Sequence, residues 1–347
     1  METMVLGKTG LKISRVGFGT IPIQRLGDDG AVAVIRRCLE LGVTYIDTAN
    51  AYSTSEGRIG MALEGWKGDV VLSTKTQSRA ADGVAAHLAQ SLKMMRVDAI
   101  DLYQFHNVST FPDLEKVLAP DGPYDVIRQA MRDGKVKHVG ITSHQIDVAK
   151  KAVETDRFET VMFPMNFIAH EPGEELLALA AQHEVGFIAM KPFAGGMIDS
   201  ASLAIKYLLQ LPNVVPIPGF EHISEAEEVI RIAESSWTLT EGETAEIERI
   251  RQETGHRFCR RCDYCQPCTA GIAISNVMSY PTMVRRMPPR NVVTGWIADT
   301  LEKVSQCTDC GLCEERCPYH LPIREMITEN LADYRRRKEQ WEAAQQS

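Results

Sequence analysis

Short β-branched and apolar runs alternate with longer stretches whose apolar residues recur every three or four positions, and the alternation persists over roughly 240 residues. The short runs predict strands at Val16 to Gly19, Thr44 to Asp47, Val70 to Thr74, Ala99 to Phe105, His138 to Thr142, Val161 to Met165, Gly186 to Met190 and Val214 to Pro218. Helical patterns occupy Ala31 to Leu41, Gly83 to Met95, Tyr124 to Met131, Glu174 to His183 and Ser202 to Leu211, and another begins near Glu56. A last one starts at Ser224, where Ser224 and Glu227 have capping-box spacing. Ahead of these, Val5-Leu6 and Leu11-Lys12-Ile13-Ser14 flank Lys8-Thr9-Gly10 and read as a hairpin.

Strands alternating with helices imply a parallel α/β fold, and eight such units in about 240 residues match a (β/α)8 TIM barrel. An open doubly wound sheet normally carries a glycine fingerprint after its first strand, and Gly17-Phe18-Gly19 is followed instead by Thr20-Ile21-Pro22. From about Thr240 to Gly255 the chain becomes strongly charged and helical. The expected organisation is therefore a barrel over 1–240 and a smaller α-helical domain over 241–347, which contains the cysteine runs and a charged tail.

Composition fits a globular protein with a large core: 44% hydrophobic and 24% charged residues. The net charge of -8 disfavours a nucleic-acid partner, and Arg335-Arg336-Arg337-Lys338 reads as the solvated face of a terminal helix. No apolar run approaches the roughly 20 residues that span a bilayer, and Met1-Glu2-Thr3-Met4 does not open a secretory signal. The expectation is a cytoplasmic protein with no membrane partner.

Eight of the nine cysteines fall between Cys259 and Cys317, which without an export signal favours metal ligation over disulfides. Cys38 stands apart on an apolar helical face and reads as a core residue. Cys259, Cys262, Cys265 and Cys268 follow at two-residue gaps; Cys307, Cys310, Cys313 and Cys317 do the same with a final gap of three and Pro318 after it. The second run resembles the ferredoxin signature for [4Fe-4S] clusters, whose fourth cysteine often serves the other cluster. That resemblance assigns Cys307, Cys310, Cys313 and Cys268 to one cluster and Cys259, Cys262, Cys265 and Cys317 to a second. Structural zinc is the competing reading, although four cysteines per run exceed what a zinc ribbon uses. Tyr280, Trp296 and Tyr319 are expected to pack around the clusters or against the barrel.

In a parallel barrel, strand ends and the loops after them converge on one mouth. Asp47 and Tyr52 follow the second strand, Lys75 ends the third and His106 follows the fourth. Singly, each reads as a cap, a rim aromatic, an exposed charge or a core histidine. Four at successive strand ends, all suited to carbonyl chemistry, point to a site. Phe18, Phe163, Phe193, His144 and His170 read as mouth lining or as simple packing.

The segment Ile46-Asp47-Thr48-Ala49-Asn50-Ala51-Tyr52 with Ser55-Glu56, and the stretch from Leu6-Gly7-Lys8-Thr9-Gly10-Leu11 to the last barrel helix, closely resemble the aldo-keto reductase family. The cysteine runs make the whole chain similar to its subgroup with a ferredoxin-like tail. The resemblance implies an NADP- or NAD-dependent oxidoreductase acting on a small-molecule carbonyl or alcohol. Tyr52 would be the general acid, Lys75 held by Asp47 would lower the phenol pKa from roughly 10, and His106 would orient the carbonyl. It places Gly19, Thr20, Asp47, Thr142, Ser143, Asn166, Lys191, Pro192, Gly219 and Glu228 against the dinucleotide, with Thr142 and Ser143 at the carboxamide and Glu228 at the adenine. Met162 falls where the family often has a glutamine against the same amide. Glu221 lies where the 2′-phosphate would sit and would repel it. The alternative reading is a nucleotide-sensing or electron-relay module without carbonyl turnover, docking an electron-transfer partner.

Overall fold

The apolar runs pair side by side in chain order. In the computed structural model, which describes residues 1–346, strands β1 (Thr3–Val5) and β2 (Lys12–Ser14) form an antiparallel hairpin. Eight strands then make one parallel sheet: β3 (Phe18–Gly19), β4 (Tyr45–Asp47), β5 (Val71–Thr76), β6 (Ile100–Phe105), β7 (Val136–Thr142), β8 (Thr160–Pro164), β9 (Gly186–Met190) and β10 (Val214–Pro216). The sheet closes on itself, because Gly17 N–H donates to Pro216 O at 2.9 Å and Gly19 N–H to Pro218 O at 2.8 Å. A Cβ at Gly19 would stand 2.8 Å from Ile217 O, so closure at this distance requires glycine.

Period-2 alternation separates two cores. Outward residues such as Ile46, Tyr103, Phe105, Val139, Val161 and Phe187 pack against the surrounding helices, and Phe18, Phe163 and Cys38 belong to the same cluster. Inward residues Tyr45, Leu102, Met162, Ile188 and Val215 fill the barrel together with Leu6 and Ile13. Leu6 lies against Gly186, the first residue of β9, so the hairpin segment plugs the amino-terminal end. The opposite end keeps polar side chains.

The helices lie where the periodicity put them, within a few residues, and Phe111–Leu118 and Ile146–Glu154 add two that the pattern did not single out. One cap differs. Helix Ile223–Ala233 is capped by His222, two residues before the expected Ser224, so it is Glu225 that receives the N–H groups of Glu221 and His222, at 2.7 and 3.1 Å. Glu227 pairs with Arg37 at 2.8 Å instead.

The chain divides into two compact units, Met1–Ala194 with Ile198–Thr244, and Gly195–Met197 with the chain from Ala245. The second has its own apolar core, including Ile274, Val277, Ile297, Leu301 and Ile327, with Tyr280 edge-on to Tyr334 at 6.5 Å. Trp296, expected to pack, is 54% exposed: it lies on the outer side of its short helix while Ile297 takes the core position. Arg335 and Lys338 pair with Glu302, and Arg336 and Arg337 with Asp333, so the four cations of the basic run share two carboxylates. Among the described residues no helix is long and apolar enough to cross a membrane.

Candidate active site and cysteine pockets

Parallel register sets Asp47 beside Ser73 and Lys75 beside Gln104, and all four point into the barrel. Lys75 Nζ lies 2.6 Å from Asp47 Oδ2 and also donates to Thr48 O at 2.5 Å. The other carboxylate oxygen accepts from Ser73 Oγ at 3.1 Å and Gln104 Nε2 at 3.2 Å. Lys75 is 1% and Asp47 3% exposed. Burial pushes the Asp47 carboxyl up, while the Lys75 ammonium and the Ser73 and Gln104 donors pull it back.

The Tyr52 loop is tied over this pair. Asn50 N–H donates to Lys75 O at 3.0 Å, and Tyr52 N–H turns back to Ala49 O at 2.9 Å. The ammonium stands 5.2 Å from the Tyr52 ring centroid. His106 meets the same ring edge-on, at 5.7 Å and 83°. The structure therefore brings together Asp47, Tyr52, Lys75 and His106.

Burial, with the Lys75 and Arg79 charges, pushes the His106 imidazole down to about 3, so it is neutral at working pH. Its Nδ1 is buried without a partner among the described residues. Arg79 Nη2 donates to His106 O at 2.8 Å and Asn107 O at 3.0 Å, which fixes the imidazole's loop. A depressed histidine pKa means the unfolded chain binds the extra proton. Its stabilising effect is present above the unfolded value near 6.5 and is lost as pH falls towards about 3. His106→Gln is therefore expected to lose less stability between pH 7 and pH 4 than the parent, by an order of 1 kcal/mol or more, in paired denaturant titrations. Equal losses in the two proteins would contradict a neutral buried imidazole.

All nine cysteines are free thiols. Cys268, Cys307, Cys310 and Cys313 line one pocket with Ile272, Ile274, Leu312 and Ile327; Cys265 also borders it, and no carboxylate does. Thr269 Oγ1 lies 3.6 Å from Cys310 Sγ. Cys259, Cys262, Cys265 and Cys317 form the second group. Burial, together with thiols of the same group, pushes the thiols of Cys259 and Cys265 up to about 11 and 12: Cys262 and Cys317 act at Cys259, and Cys259 and Cys262 at Cys265. Cys262 also feels Cys317. Among the described residues no three His, Cys, Asp or Glu side chains gather to hold a single ion; the thiols frame a pocket instead. An all-thiol set on apolar walls suits iron–sulfur chemistry.

Comparison with known proteins agrees with both halves. Residues 15–202, more than half of the chain, match the model of the Aldo/keto reductase family. The chain belongs to the aldo/keto reductase family. Residues 258–322 match a 4Fe-4S dicluster domain, so this oxidoreductase joins a reductase barrel to an iron–sulfur module. An uncharacterized oxidoreductase, YqkF of Bacillus subtilis, is 25% identical over 260 residues, covering 70% of this chain and 81% of its own. Among solved structures, the holo form of aldo-keto reductase AKR11C1 from Bacillus halodurans superposes with a TM-score of 0.64 at 23% identity, covering 72% of this chain and 96% of that one. An aldo-keto reductase from Klebsiella pneumoniae in complex with NADPH gives 0.62 at 19% identity, covering 72% and 95%.

Within this reductase barrel the dinucleotide candidates ring the carboxyl end, and several of them brace its loops. Thr20 Oγ1 donates to Asp47 O at 2.9 Å and accepts from Ser55 Oγ at 2.8 Å. Thr142 Oγ1 accepts from Asn107 N–H at 2.7 Å, and Ser143 Oγ exchanges bonds with the backbone of Gln145. Asn166 donates to Lys191 O at 3.2 Å and accepts from the N–H groups of Ile168 and Ala169, which sets the turn before Pro192. Gly219 sits where a Cβ would be 2.6 Å from Pro22 and 2.9 Å from Gly19 O. Glu228 is exposed on helix Ile223–Ala233. Met162 points into the barrel interior with Leu102, Ile188 and Val215. Glu221 forms an ion pair with Arg25, from the loop after β3.

Sequence reading missed Ser73, Gln104, Arg79 and Arg25. For two the signal was present: Ser73 and Gln104 are polar at inward positions, each two residues before a candidate catalytic side chain. Arg79 and Arg25 act through backbone carbonyls and a distant carboxylate, which leave no local pattern.

Proposed function

We propose that this reductase transfers a hydride between a nicotinamide cofactor and a small carbonyl or alcohol, with Tyr52 as the proton donor. The observation behind this is the buried Lys75–Asp47 pair at 2.6 Å with its ammonium 5.2 Å from the Tyr52 ring centroid. A cation held there favours the ionised phenol and so makes Tyr52 a stronger acid. Asp47 keeps the ammonium in place, Ser73 and Gln104 keep Asp47 in place, and neutral His106 is suited to hydrogen-bond a carbonyl oxygen. When bound, the nicotinamide supplies the hydride; Gly19, Thr20, Thr142, Ser143, Asn166, Lys191, Pro192, Gly219 and Glu228 would hold it. Backbone groups would make much of that contact, because the Thr142, Ser143 and Asn166 side chains already bond their own loops.

The family binds NADP(H). The Glu221 carboxylate, paired with Arg25, works against a strong preference for the 2′-phosphate. A panel of aldehydes and ketones assayed anaerobically with each nicotinamide tests the reading. Turnover of one nicotinamide per carbonyl is expected, with NADPH and NADH within about tenfold of each other, a difference of about 1.4 kcal/mol. No turnover on any carbonyl would favour the sensing or relay module, which the occupied carboxamide-side groups support.

We further propose two [4Fe-4S] clusters, one on Cys268, Cys307, Cys310 and Cys313 and one on Cys259, Cys262, Cys265 and Cys317. Protein prepared anaerobically is expected to contain about eight irons and about eight acid-labile sulfides per chain. Zinc without sulfide would end this assignment.

A further inference from the structure

The two cysteine groups differ in access. Cys307 and Cys310 are exposed, and so is every residue from Ser305 to Cys310. In the other group Cys317 is 7% exposed and belongs to the second unit's core, and none of Cys259, Cys262 and Cys265 is exposed. Arg260, whose guanidinium stacks on Tyr319 at 4.4 Å and donates to Gly255 O and Phe258 O, braces the chain beside Cys259 and Cys317. The open loop is fixed as well. Arg324 ties Asp309 Oδ1 at 3.0 Å and Glu314 Oε2 at 2.8 Å, so the chain on either side of Cys310 is tied by ion pairs.

We propose that the pocket of Cys268, Cys307, Cys310 and Cys313 is the face at which this protein exchanges single electrons with an external one-electron carrier, and that the group of Cys259, Cys262, Cys265 and Cys317 is the less accessible of the two. The inference rests on the two-cluster reading above. The exchange makes and breaks no bond: the carrier loses one electron as the cluster behind Cys307 and Cys310 gains one, or the reverse. Transfer weakens steeply with distance, so the cluster whose ligands reach the surface is the one a docked carrier meets. The same openness makes that cluster the first to yield to small reagents.

The test uses anaerobic full-length protein incubated with excess EDTA. Iron release is followed by colorimetry and the remaining clusters by EPR after reduction. Two phases of equal size are expected, the first at least about tenfold faster, because ligand exposure governs reagent access. The EPR signal lost in the fast phase is also expected to be the one broadened by a dissolved dysprosium chelate. Cys310→Ser should abolish the fast phase and Cys262→Ser the slow one. Thr269→Val leaves every ligand in place and removes the hydroxyl beside Cys310 Sγ; it should accelerate the fast phase and leave the slow one unchanged. A single phase, broadening of both signals alike, or a fast phase that responds to Cys262→Ser would overturn the proposal. Starting protein with less than about eight irons and no sulfide would instead refute the two-cluster reading.

Discussion

Replacing Lys75 by Met is expected to destabilise the barrel by about 3–5 kcal/mol, read as a lowered denaturant midpoint of the full-length protein. Lys75 is 1% exposed and its partner Asp47 3%. With the ammonium gone, only Ser73 and Gln104 remain to solvate the carboxylate, and neither carries charge. Burial already pushes this carboxyl up; without its cation it would take a proton at still higher pH. Stability of the variant should therefore improve as pH falls, since a carboxyl whose folded pKa is raised favours the fold below that pKa and loses this support as pH rises through it. Asp47→Asn combined with Lys75→Met should recover most of the loss, because removing both charges leaves no buried charge unpaired. A single variant within about 0.5 kcal/mol of the parent would mean that the pair is not buried as described.

What the sequence made legible follows the range of the interactions involved. The eight strands and their order were readable because β-branched runs such as Val70 to Thr74 announce themselves within a few residues, and each crossover joins neighbours. The cysteine runs were readable for the same reason, since their spacing is local. Closure was not: it rests on Gly17 and Gly19 meeting Pro216 and Pro218, at the far end of the barrel sequence. Nor was the Arg25–Glu221 pair, which joins loops after the first and last barrel strands. The inward side of Met162 is set by its register with Ile188 on β9, a pairing that no local pattern reveals. The cap at His222 shows how a two-residue shift of the cap transfers a role from Glu227 to Glu225.

The candidate site was legible as four residue types at strand ends. Its supporting shell became visible only once register put Ser73 against Asp47 and Gln104 against Lys75. That shell gives the tetrad its chemistry, because an ammonium with two fixed acceptors cannot swing away from the phenol it faces.

Tyr52→Phe removes one oxygen and leaves the ring between Lys75 and His106. If Tyr52 donates the proton, kcat for carbonyl reduction should fall by about a hundred- to ten-thousandfold, the range typical of a lost general acid. Nicotinamide affinity, measured by fluorescence titration, should change by less than about twofold, because no dinucleotide contact is assigned to the phenol. Substrate turnover by the Tyr52→Phe variant under saturating nicotinamide is thus the most direct measurement: a collapse of kcat with intact cofactor binding agrees with the account, and turnover equal to the parent contradicts it.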